Sequence, residues 1–114
     1  MSELFSRMDT VFLIAEEFDR SIEWYGEKLG LTPGYRSRGA ATFHAGSGTP
    51  LTLIDAAVLE EEHPIFNFYT PDIDAAHKHL TERGADPGPI RHYGDMATFD
   101  FRDVDGRLLN VCHY

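Results

Sequence analysis

The chain has 114 residues, of which 42% are apolar and 25% charged, the proportions of one folded domain and not of a disordered segment. No apolar run approaches the roughly 18 residues of a membrane span, MSELFSRMDT at the start lacks a signal-peptide core, and the single cysteine, Cys112, excludes an internal disulfide and fits a reducing cytoplasm. Nineteen acidic against ten basic side chains give a formal charge of −9, which argues against nucleic acid or an anionic membrane as partner and suits a cationic ligand.

In chain order, TVFLIA at 10–15 reads as a strand, followed by a helical pattern in DRSIEWYGEKLG. Ile22, Tyr25 and Leu29 fall on one face, Asp19 is the expected N-cap and Gly30 the closing glycine. Trp24 is expected to face the core. ATF at 41–43, the turn GSGTP and LTLI at 51–54 read as two short strands and their connection. DAAVLEEEHP then reads as a linker whose EEE at 60–62 is solvated. IFNFYT at 65–70 is a second opening strand, and DIDAAHKHLTERG a second helix with Ile73, Ala76, His77 and Leu80 on one face, Asp74 as cap and Gly84 at its end. His92 is placed in an RHYGD loop, ATF returns at 97–99, and a DVDG turn leads into LLNV at 108–111.

The order is a repeat. Glu17-Phe18-Asp19 and Asp72-Ile73-Asp74 stand 55 positions apart, and the two ATF runs 56. Each half reads strand, helix, then about three strands, with module one at about 8–55, a linker at about 56–63 and module two at about 64–114. Halves of about 50 residues bury little surface alone, so the two are expected to pack as one domain.

Three segments carry a resemblance to a known family. EEFDRSIEWYGEKLGL, DIDAAHKHLTERGA and FRDVDGRLLNV occur in the order and at the separations found in the vicinal oxygen chelate superfamily. That group holds glyoxalases, extradiol dioxygenases, epimerases and bleomycin- or fosfomycin-resistance proteins. Val104 and Arg107 stand where the family pattern has proline and asparagine. The resemblance implies an α+β fold of two paired βαβββ modules, a cup-shaped sheet with helices outside, and a homodimer.

The resemblance also implies where a divalent metal would be held, on the first and last strands of the modules. Those positions are Thr10, Ile65 and Asn110, with Thr52 or Leu53 as the first-half counterpart of Asn110. A hydroxyl, a hydrocarbon and an amide are poor replacements for the imidazole, thiolate and carboxylate donors of such metals. No metal and no cofactor are therefore expected. His63, His44, His92 and His113 are the fallback candidates, while His77 and His79 diverge around a helix. Cys112 has no activating partner in the sequence and reads as a buried small hydrophobe.

Strand alternation gives the cup Thr10, Phe12, Ile14, Asn67, Tyr69, Leu108, Asn110 and Cys112, and sets Val11, Leu13, Phe66 and Phe68 under the helices. Thr10, Phe12, Asn67, Tyr69 and Asn110 are thus the expected ligand-binding residues, polar points and aromatic walls suited to a small aromatic or cationic molecule. The expected function is sequestration of such a molecule without metal, as in bleomycin-resistance proteins. The alternatives are a glyoxalase-like lyase, isomerase or dioxygenase with displaced ligands, and a regulatory domain with a vestigial cup.

Overall fold

The repeat takes shape as two βαβββ units in the computed structural model, which describes residues 4–114. One unit is Thr10–His63; the other joins residues 4–9 with Pro64–Tyr114, so the division falls within the first strand. The first unit contains β1 (Arg7–Ala15) from Thr10 onward, α1 (Phe18–Glu27), β2 (Thr32–Arg36), β3 (Ala40–His44) and β4 (Leu51–Asp55), with strand order β2-β3-β4-β1. β1 and β4 run parallel, the other neighbours antiparallel. The second contains β5 (Phe66–Tyr69), α2 (Ile73–Glu82), β6 (Arg91–Tyr93), β7 (Met96–Arg102) and β8 (Leu108–His113), ordered β5-β8-β7-β6, again with a parallel pair, β5 and β8. The class is α+β. Among the described residues no helix is long and apolar enough to cross a membrane.

Period-two alternation gives each sheet one apolar face against its helix. Ala15, Ala41, Phe43 and Leu53 pack against Phe18, Ile22 and Tyr25 of α1. Ala97, Phe99 and Val111 pack against Ile73, Ala76 and Leu80 of α2. The face away from each helix, its open face, takes the intervening residues; these mix polar and apolar side chains, and Thr10, Thr52, Asn67 and Cys112 among them are buried. Gly30 (φ 65°) and Gly84 (φ 79°) turn the chain out of the helices in the left-handed region that side chains disfavour. At the turn before β8, the Asp103 carboxylate accepts from the Asp105 and Arg107 amides, both at 2.9 Å, and pairs with the Arg107 guanidinium at 2.8 Å. The Arg107 amide bond is the main cause holding that carboxyl below its usual range.

Several local expectations are corrected. The helices begin earlier than supposed: Glu17 and Asp72 occupy the cap positions, with Asp19 and Asp74 in the first turns. Asp72 accepts from the Ala75 amide at 3.0 Å, whereas Glu17 makes no side-chain cap bond. Leu29 lies beyond α1 and is exposed. Trp24 is 48% exposed and does not face the core, meeting Tyr25 edge-on instead. α1 lies over β3 and β4 and leaves Val11 and Leu13 of β1 partly exposed. His92 sits in β6, not in a loop, and the linker opens with a short 3-10 helix, Ala56–Val58, capped by Asp55.

Candidate functional site

On the open face of the Thr10–His63 unit, three threonine hydroxyls form a chain. Thr10 Oγ1 lies 2.9 Å from Thr52 Oγ1, which lies 3.0 Å from Thr42 Oγ1. Strand register places them together, since β4 Thr52 pairs with Phe12 on one side and Thr42 on the other. Thr10 donates to the Pro50 carbonyl at 3.0 Å. One direction then satisfies the set: Thr42 donates to Thr52, and Thr52 to Thr10. This resolves the open register, because Thr52 faces Thr10 while Leu53 is buried under the helix. Phe12, also on this face, meets the His63 ring edge-on with centroids 4.6 Å apart.

The other unit carries a longer polar chain. Asn67 and Asn110 are register partners on parallel strands, so their side chains meet on the open face. Asn110 Nδ2 donates to Asp100 Oδ1 at 2.8 Å and to the Phe99 carbonyl at 3.3 Å. Its Oδ1 accepts from Asn67 Nδ2 at 3.5 Å, and the same Nδ2 reaches Cys112 Sγ at 3.4 Å. An amide is required here because it donates one way and accepts the other. The Cys112 thiol is bonded to Asp9. Asp9 Oδ1 also accepts from the Tyr114 hydroxyl at 2.5 Å, and the Tyr114 phenol oxygen in turn accepts from Arg7 Nη2 at 2.8 Å. Tyr69 donates to the Tyr114 carbonyl at 2.9 Å, and Arg7 Cζ lies 4.0 Å from the centre of the Tyr69 ring. The chain thus runs Asp100, Asn110, Asn67, Cys112, Asp9, Tyr114, Arg7, with a carboxylate near each end and an aromatic pair beside the second.

Burial pushes the Cys112 thiol up to about 12, and Asp9 reinforces the shift. The thiol is a proton donor here and not a nucleophile. Burial, then donation to Asp9, likewise raises the Tyr114 phenol.

The residues at the family's metal positions do not fit a metal. Thr10 is committed to a hydroxyl chain, Ile65 offers no donor atom and is exposed, and the Asn110 amide bridges Asp100 and Asn67. None supplies the negative charge or strong nitrogen donor that zinc, iron, nickel or manganese takes. Among the described residues, no three His, Cys, Asp or Glu side chains gather closely enough to hold an ion. The fallback histidines are dispersed. His63 lies against Phe12, His44 ends β3, His92 lies in β6, and His113 Nδ1 is bonded to the Thr70 carbonyl at 2.8 Å.

Of the five expected ligand-binding residues, Asn67, Tyr69 and Asn110 join one polar face, while Thr10 and Phe12 belong to the other unit's contacts with Thr52 and His63. Arg7, Asp9, Asp100 and Tyr114 were not anticipated. Charges at strand ends read as solvent-exposed, and Arg7 and Tyr114 are 107 positions apart.

Comparison with solved structures places this architecture among known folds. Methylmalonyl-CoA epimerase from Mycobacterium tuberculosis aligns with a TM-score of 0.79 at 19% identity, over 99% of this chain and 91% of that one. A selenomethionyl methylmalonyl-CoA epimerase also gives 0.79, at 17% identity over 100% and 99%. A glyoxalase/bleomycin resistance protein/dioxygenase superfamily member from Vibrio splendidus 12B01 gives 0.67, at 17% identity over 95% and 98%. At such identities the likeness is one of fold. No curated protein sequence matches the chain. The family profile matches residues 7–111, and the chain accordingly belongs to the Glyoxalase/Bleomycin resistance protein/Dioxygenase superfamily.

Proposed function

We propose that this protein binds a small cationic or aromatic molecule on the open face of its second unit without a metal ion, sequestering it in the manner of bleomycin-resistance proteins and working as a homodimer. The observation that carries this reading is the Asn67–Asn110 amide pair, set in the polar chain from Asp100 to Asp9. Placed amides orient a ligand, and carboxylates favour a positive one. The charge of −9 would concentrate cations near the surface. Partly exposed Val11 and Leu13, and exposed Trp24, supply apolar surface of the kind an interface covers.

The test has two arms. Metal content is measured by mass spectrometry on tag-free protein, as purified and after incubation with nickel, zinc, manganese and ferrous iron. A thermal-shift and calorimetric screen of cationic aromatic compounds follows, with Asn67→Ala and Asn110→Leu as controls. Substoichiometric metal, with a ligand lost in both variants, is the expected result. Near-stoichiometric metal would overturn the reading in favour of a lyase, isomerase or dioxygenase, and ligand binding that survives both substitutions would remove the site.

A further inference from the structure

Arg7 is held as receptors hold a cationic ligand. Its guanidinium carbon lies over two aromatic rings, 4.0 Å from the centre of Tyr69 and 5.8 Å from that of Tyr114. It donates to the Tyr114 hydroxyl at 2.8 Å and approaches Asp9 Oδ1 at 3.4 Å. Aromatic faces joined to a carboxylate form the recognised chemistry for guanidinium and alkylammonium groups.

The walls of this cage have bonds of their own, independent of Arg7. The tyrosine rings meet edge to face with centroids 5.0 Å apart, and Tyr69 donates to the Tyr114 carbonyl. Tyr114 donates to Asp9 at 2.5 Å. His113 stacks on Tyr69 at 5.8 Å and is itself fixed to the Thr70 carbonyl. Arg7, by contrast, has a side chain 49% exposed, so it can swing into solvent without opening an internal cavity.

We propose that Asp9, Tyr69 and Tyr114 form a receptor for a guanidinium or alkylammonium group, with Arg7 as its resident occupant, and that a cationic ligand enters by displacing this side chain. The proposal rests on the binding-protein reading and gives it a ligand class and a built-in competitor. A tethered occupant competes at an effective concentration on the order of millimolar, so its removal strengthens binding of a free cation.

Ethylguanidinium chloride and tetramethylammonium chloride are titrated into wild type, Arg7→Ala and Arg7→Gln, against matched sodium chloride, with the tyrosine ring resonances followed by NMR. Arg7→Gln keeps the aliphatic stem and serves if the alanine variant fails to fold. Saturable shifts are expected in the Arg7 variants at an apparent affinity ~10-fold or more above wild type. They should vanish when Tyr69→Leu is added. Equal responses in wild type, Arg7→Gln and the double variant, or shifts reproduced by sodium chloride, would overturn the proposal. Saturable cation binding in Arg7→Gln, with no hit in the wild-type ligand screen, would retain the cage and remove the binding-protein reading. A screen hit without any cage response would do the opposite.

Discussion

Substituting aspartate for Asn110 preserves the side-chain shape but replaces its donor with a charged oxygen. In the native protein Nδ2 donates to Asp100 Oδ1 at 2.8 Å, so Asn110→Asp sets two carboxylate oxygens against each other at about that separation. At an effective dielectric of about 20–40 for a half-buried pair, two unit charges this close repel by roughly 3–6 kcal/mol. The molecule limits the penalty by keeping one proton on the pair; at pH 7 that costs about 4 kcal/mol for a carboxyl with an ordinary value near 3.9. Rotation toward solvent lowers it further, so the expected loss is about 2–4 kcal/mol at pH 7, a large part of the roughly 5–15 kcal/mol that holds a domain folded. The pair's pKa is raised in the folded variant, so the deficit is largest at neutral pH and shrinks as pH falls toward 4, where the unfolded chain takes up the same proton. What remains at low pH is the lost hydrogen bond, about 1 kcal/mol. Urea denaturation followed by far-UV circular dichroism at pH 7.5 and 4.5 measures both values. A deficit below about 1 kcal/mol at pH 7.5, or one equal at the two pH values, would refute the Asn110–Asp100 donation.

Other consequences are accessible to simple assays. Thr52→Val removes the middle hydroxyl of the threonine chain and leaves Thr42 without its acceptor; the expected cost is about 1–2 kcal/mol in urea melts. An unchanged midpoint would show that the hydroxyls are satisfied by solvent. Asp72→Ala should cost about 1 kcal/mol through loss of the Ala75 bond, while Asp74→Ala leaves the midpoint nearly unchanged. The reverse order would restore Asp74 as the cap. Cys112, with its thiol pushed up to about 12, should resist iodoacetamide at pH 8 until urea unfolds the chain; labelling of native protein at the free-thiol rate would contradict its burial. Because its folded pKa is raised above the ordinary 9.0, the stability from the protonated thiol is complete below about pH 9 and is lost as pH rises toward 12. A Cys112→Ala variant should show a weaker decline over that interval.

Much of the fold was legible because it rests on local chemistry. The Glu17-Phe18-Asp19 and Asp72-Ile73-Asp74 repeats, the paired ATF runs and the helix-ending Gly30 and Gly84 depend on short-range backbone preference and side-chain period, both present in the order of residues. The same holds for Asn110. An amide in an apolar run announces a need for partners, and the resemblance marks its place on the last strand.

Its partners were another matter. Strand β8 meets β5 and β7 through a register that local sequence does not state, and a shift of one residue would have turned Asn67 away from Asn110. Trp24 shows the same limit in a helix, where an amphipathic pattern says which face is apolar but not how much of it the sheet covers. Asp9 and Arg7 met Tyr114 across 105 and 107 positions, a pairing that only chain topology sets. Residue identity and near neighbours suffice for the α+β repeat, the turns and the poor donors at the family's metal positions. Tertiary structure alone decided which polar groups joined into one chain and that Arg7 fills an aromatic cage, because strand register and chain closure bring together groups that no local rule connects.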